Sequence, residues 1–159
     1  MKTRFMTVLA ALALVSGCAT SGSVEETSST TAMGADQAAV EANDQDFAQK
    51  AKDRIFFAFD RSTLSAEAVN TLKAQAEYLK ANPEKNVVIE GHTDDRGTRE
   101  YNLALGERRA VAAKNYLISR GVDGSRIKVI SYGKEYPAVV GANEAAWAQN
   151  RRAVTVVKD

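Results

Sequence analysis

The 159-residue chain has one cysteine, one histidine, one tryptophan and two prolines. The lone cysteine, Cys18, excludes an intrachain disulfide and a cysteine-built metal cluster. The lone histidine, His92, would leave a zinc site to carboxylates, which zinc seldom accepts without nitrogen or sulfur ligands. The phosphate-cradling patterns G-x-G-x-x-G and G-x-x-x-x-G-K-[ST] are absent, as is the nucleophile elbow G-x-S-x-G. The formal net charge is only +1, so the basic surplus of a generic nucleic-acid binder is missing. The apolar run Met6 to Val15 is ten residues long, half of the roughly 20 a bilayer-spanning helix needs. With 45% hydrophobic and 26% charged residues, the composition suits a globular protein and not a collagen, a coiled coil or a polytopic membrane protein.

The small net charge conceals three unlike segments. Residues 1–18 hold two bases and no acid, residues 19–46 hold six acids and no base, and residues 47–159 hold 19 bases against 14 acids. In the first, Lys2 and Arg4 precede the apolar run and small residues follow, the arrangement of an export signal over residues 1–17. Val15-Ser16-Gly17-Cys18 resembles the bacterial lipoprotein signal. That resemblance implies cleavage before Cys18 and attachment there of a diacylglycerol and an amide-linked acyl chain such as palmitate. Several chains anchor stably because each buried CH₂ contributes ~0.8 kcal/mol. Ala19, in place of an aspartate that would favour the inner membrane, points to outer-membrane lipid as the anchor site.

Residues 18–46 are expected to be the lipidated N-terminus and a disordered tether. Past Cys18 the stretch has no aromatic, leucine or isoleucine and cannot bury enough apolar area to offset chain entropy. Its like charges favour extension, with an average span of about 30 Å and a stretched reach of about 90 Å. The later part, from Ala35 to Ala51, has the composition of a weak helix.

Residues 47–159 are expected to form one α/β (α+β) domain. Arg54 to Phe59 reads as a strand, and Ser65 as the cap of a helix bearing Ala68, Leu72, Ala76 and Leu79 at helical spacing. Asn82-Pro83 stops it. Asn86 to Glu90 reads as a second strand, Gly91 to Arg99 as a polar loop and Glu100 to Arg120 as a long helix with the stripe Leu103, Ala110, Ala113 and Leu117. Ile127 to Tyr132, Asn143 to Gln149 and Ala153 to Val157 complete the order β-α-β-α-β-α-β, with helices packed on a mixed four-stranded sheet.

The polar loop holds the chemistry. His92, Thr93, Asp94 and Asp95 occupy four consecutive positions between a strand and a long helix, where α/β folds commonly hold ligands. His92 and Asp94 would share a side of an extended segment, but no serine sits in an elbow to exploit them. Adjacent carboxylates seldom flank a scissile bond, which disfavours a hydrolase. Asn102, Leu105 and Arg109 lie at i, i+3 and i+7, on one helix face set apart from the core stripe. If the helix runs back past the loop, Asp94 and Arg109 converge. A carboxylate beside a guanidinium suits a zwitterion, taking its ammonium and its carboxylate respectively. The same two side chains could instead form a structural ion pair.

Gly91-His92-Thr93-Asp94-Asp95-Arg96-Gly97-Thr98 and Tyr101-Asn102-Leu103-Ala104-Leu105-Gly106-Glu107-Arg108-Arg109-Ala110 resemble the signature of OmpA-like peptidoglycan-binding domains. Ser131 to Ala138 and Asn150 to Val154 extend the likeness to about residues 54–157. Asp95 stands where many relatives have glutamate or asparagine. The resemblance implies noncovalent, non-enzymatic binding of the meso-diaminopimelate stem peptide of peptidoglycan. It implies Asp94 and Arg109 as main contacts, with Phe59, Asp60, Thr93, Asn102, Leu105 and Arg96 around them. Arg151 and Arg152 have a rival role in clamping loops near the sheet end. The lipidated branch of this family further implies the Tol envelope system of cell division, with a TolB-like periplasmic β-propeller as partner. A lipoprotein outside that system, or a wall hydrolase, are the alternatives. No metal or cofactor is implied.

Overall fold

The computed structural model describes residues 46–158. The expected signal, the lipidation site Cys18 and all but the last residue of the expected tether lie outside the described residues. Helical residues 46–51 (α1) are followed by β1 (Arg54–Phe56), α2 (Ala66–Ala81), β2 (Asn86–His92), α3 (Arg99–Ser119), a 3-10 turn (Gly124–Arg126), β3 (Ile127–Gly133), α4 (Glu144–Asn150) and β4 (Arg152–Lys158). The sheet order is β1-β4-β2-β3. β2 and β3 run parallel across the α3 crossover, whereas β4 pairs antiparallel with both β1 and β2. This is the mixed four-stranded sheet that the order of elements predicts.

The helices begin where their caps stand. Ser65, Thr98 and Asn143 each accept a hydrogen bond from the backbone N–H three residues on, satisfying a donor the helix leaves open. The core lies between one sheet face and helices α2 and α3. Leu72 and Leu79 from α2, Ala110 and Leu117 from α3, and Val87, Ile89, Ile127 and Val157 from the strands form one cluster with Phe47 of α1. Each large aliphatic side chain buried there contributes about 2 kcal/mol. Gln75, fully buried, ties three segments by donating to the Lys52 carbonyl at 2.6 Å and accepting from Thr155 at 2.9 Å. Strand alternation turns Arg54, Val88, Glu90, Ile130 and Val154 to the other face, which is partly open to solvent.

Three local features differ from the sequence pattern. β1 ends at Phe56, because the chain then turns: the Arg61 N–H donates to the Ala58 carbonyl, and Asp60 takes a left-handed φ of 53°. β2 runs on through His92, two residues past the expected end. On α3 the buried residues are Asn102, Leu105, Gly106, Arg109, Ala110, Ala113 and Leu117, with Leu103 only half-buried. The face carrying Asn102, Leu105 and Arg109 is therefore continuous with the core stripe rather than set apart. Its cause is a close approach. A side chain on Gly91 would overlap the Gly106 carbonyl, and one on Gly106 would overlap the Ser131 hydroxyl, so helix and strand meet backbone to backbone.

Candidate functional site

The site sits at the end of β2. The β1–α2 turn, the β2–α3 loop and the first half of α3 enclose a cavity of about 200 Å³, lined by Phe59, Asp60, Asp94, Arg96, Gly97, Tyr101, Asn102, Leu105 and Arg109. Seven of the eight ligand-binding candidates meet here. Thr93 does not line it; it is buried beside Asp94, its N–H bonded to the Gly133 carbonyl at 2.9 Å.

Arg109 is 0% exposed. Its Nε donates to the Arg61 carbonyl at 2.9 Å, Nη1 to His92 at 2.8 Å and Nη2 to Ala58 at 3.3 Å. It thus fixes the β1–α2 turn to the end of β2. Of the five guanidinium N–H groups, two remain for a ligand. Burial pulls its pKa down to about 10, partly opposed by the nearby Asp94 charge. Arg109 remains a cation at neutral pH.

Asp94 is 5% exposed. It accepts from Arg96 Nη2 at 2.6 Å and from the Arg96 N–H at 3.3 Å, with Arg151 Nη1 at 3.5 Å. Burial alone would raise its pKa. The bonds and charge of Arg96, with Arg151 beyond, outweigh that and hold it below the ordinary carboxylate value. A lowered pKa suits a standing anion and not a general acid, which must hold its proton near neutrality. Asp95 is exposed and does not line the cavity. The chain bends after the irregular Gly91/His92 register, so His92 faces a separate cavity rather than sharing a side with Asp94.

Asn102 is positioned by donating to the Arg96 and Thr98 carbonyls at 2.8 and 2.9 Å. Arg96 lies between two rings, 3.9 Å from the Phe59 centroid and 4.0 Å from that of Trp147. Arg151 has the clamping role: its Nε donates to the Phe57 carbonyl at 3.1 Å and its Nη2 to Glu144 at 2.6 Å. Arg152, one residue on, faces the other side of the sheet. Among the described residues, no group of three or more His, Cys, Asp or Glu side chains is placed to hold a metal.

Residues 56–151 match the model of the OmpA family. The chain belongs to the OmpA family. A protein of Rhizobium meliloti (strain 1021) is similar to this chain. It is named "Peptidoglycan-associated lipoprotein" and is 48% identical over 143 residues, covering 90% of this chain and 81% of the relative. The crystal structure of the peptidoglycan-associated lipoprotein from Burkholderia pseudomallei matches with a TM-score of 0.66 at 44% identity, over 68% of this chain and 92% of that one. The C-terminal domain of Helicobacter pylori MotB shares the fold, with a TM-score of 0.63 at 18% identity over 67% of this chain and 84% of that one.

Sequence reasoning missed three residues of this OmpA-family site. Tyr101 stands one turn before Leu105 and two before Arg109, so the i, i+4, i+8 spacing could have revealed it. Its hydroxyl donates to Asp60 and closes one side of the cavity. Gly97, with a φ of 92°, lets the loop turn toward α3. Trp147 comes from α4, distant in sequence, and no local signal marks it.

Proposed function

We propose that this OmpA-family chain is an outer-membrane lipoprotein, anchored through lipid on Cys18, that holds peptidoglycan noncovalently by the meso-diaminopimelate of its stem peptide. The observation that carries this reading is the convergence of Asp94 and Arg109 on one small cavity. A diaminopimelate side chain ends in an ammonium and a carboxylate on one carbon. Asp94 is assigned to the ammonium, sharing or exchanging it with the Arg96 guanidinium, and the two Arg109 N–H groups not bonded to carbonyls are assigned to the carboxylate. Phe59 and Leu105 contact the aliphatic stem, while Asp60, Tyr101 and Asn102 border the polar end. A volume of about 200 Å³ suits such a head group rather than a whole saccharide.

The kinship supports this assignment, since the relatives carry names of association with the wall rather than of a reaction. The chain is a binding protein and not an enzyme. Its place is the Tol–Pal system of cell division, with a TolB-like β-propeller among its partners and its domain facing the periplasm. The test is co-sedimentation with purified sacculi of diaminopimelate type and of lysine type. The wild-type chain is expected to pellet with the first only, and Asp94→Ala with neither. Equal pelleting of Asp94→Ala, or release of soluble muropeptides by the wild type, would overturn the reading.

A further inference from the structure

We propose that the open face of the sheet carries a second binding site, for a stem-peptide carboxylate other than the group held at Asp94 and Arg109. It rests on the wall-binding reading above. The site is a cavity of about 480 Å³ bordered by Arg54, Glu90, His92, Tyr132, Tyr136 and Arg152. Strand alternation splits the consecutive arginines of β4: Arg151 reaches toward Asp94, and Arg152 reaches here.

Arg152 is the central observation. It is 8% exposed, yet among the described residues it makes no ion pair. Its guanidinium donates only to the Tyr136 carbonyl at 3.2 Å and, at the outer limit of a hydrogen bond, to the Asn150 carbonyl at 3.5 Å. Burial lowers its pKa, as does repulsion from Arg54, and the attraction of Glu90 does not compensate. A guanidinium buried without a carboxylate is costly unless an anion completes it. Arg54 is already bonded to Asp53, at 2.7 and 3.0 Å, so it adds field at the rim without closing the site.

His92 supplies the second observation. It is 3% exposed, neither ring nitrogen has a hydrogen-bond partner, and the nearest acid is Glu90 Oε2 at 3.8 Å. The Tyr132 ring lies 5.5 Å from the His92 ring and packs edge-on against Tyr136 at 4.9 Å, which gives an apolar wall for a carbon skeleton. Glu90 selects among anions. It tolerates a monoanion that carries its own N–H donors, and repels a dianion such as phosphate. A carboxylate next to an amide, as on the glutamyl residue of a stem peptide, meets both demands. Because His92 and Asp94 are two residues apart, the two sites lie close together at the end of β2.

The test is a titration of the full chain with the γ-methylamide of N-acetylmuramyl-L-alanyl-D-glutamate, a monoanion that keeps the α-carboxylate beside its amide and lacks diaminopimelate, followed by backbone amide shifts. The amides of Glu90, His92 and Tyr132 are expected to move with a Kd of about 1 mM, and those of Tyr101 and Asn102 to stay in place. Arg152→Gln and, at the exposed rim, Arg54→Glu are each expected to weaken this response about tenfold. Absence of shifts, equal shifts in both folded variants, or an equal response to acetate would overturn the proposal. Free diaminopimelate, titrated in parallel, reads the Tyr101 and Asn102 amides in all three proteins. Its failure there would count against the Asp94–Arg109 reading alone and leave the sheet-face result standing.

Discussion

Arg109 serves two ends with one side chain. Three of its N–H groups bind backbone carbonyls from two segments, and the side chain also borders the cavity. Arg109→Ala strands those buried acceptors, so it is expected to cost about 2–4 kcal/mol as well as ligand binding. Urea denaturation of the variant checks this, and an unchanged midpoint would contradict the structural half of the role. Asp94 offers a cleaner test. Its folded pKa lies below the ordinary value, so its contribution to stability is full above its unfolded value of about 3.9 and is lost as pH falls through the lower folded pKa. Asp94→Asn is therefore expected to flatten part of the acid limb of stability against pH while leaving the neutral-to-alkaline limb alone. A variant with an acid limb as steep as the wild type would show that the carboxylate is not held down.

At the level of elements, the site depends on how closely α3 approaches β2. Glycine inside a helix ordinarily costs about 1 kcal/mol relative to alanine, so Gly106→Ala in a free helix would stabilise. Here the added methyl meets the Ser131 hydroxyl and the Gly91 carbonyl, and the backbones must part. A net loss of about 1–3 kcal/mol is expected, with weakened ligand binding because Arg109 rides on the same helix. Thermal melts together with the sacculus pull-down read both effects, and a raised melting temperature would refute the close-contact account. This is also where the sequence pattern misled. The stripe Leu103–Ala110–Ala113–Leu117 ranks positions by hydropathy. The burial of Asn102, Gly106 and Arg109 instead follows from a backbone contact and from carbonyls supplied by other segments.

At the scale of the whole molecule, the charge partition is a property of the sequence order. The basic stretch 47–159 holds Asp94 and Arg109, and the acidic stretch 19–46 lies between it and Cys18 in sequence. Among the described residues, no helix is long and apolar enough to cross a membrane. The proposed attachment to the envelope is through lipid on Cys18, and this is open to test. Cys18→Ala is expected to move the exported chain from the membrane pellet to the soluble periplasmic fraction with its wall binding retained. Pelleting of that variant with membranes stripped of peptidoglycan would refute the lipid anchor.

Local signals were sufficient for the elements: Ser65 as a cap, Asn82-Pro83 as a stop, and alternation or helical spacing for the strands and helices. The polar loop and Arg109 were legible because a carboxylate near a strand end and a cation nearly three turns into the next helix can meet only if the helix folds back. Those choices depend on neighbours in the chain, so the sequence by itself determined them. Tertiary structure alone decided that Arg96 would stack between Phe59 and Trp147, that Arg109 would be held by the carbonyls of Ala58 and Arg61, and that Arg151 and Arg152 would serve opposite faces. Each of these joins groups far apart in the chain, through contacts that exist only once the sheet has closed in the order β1-β4-β2-β3.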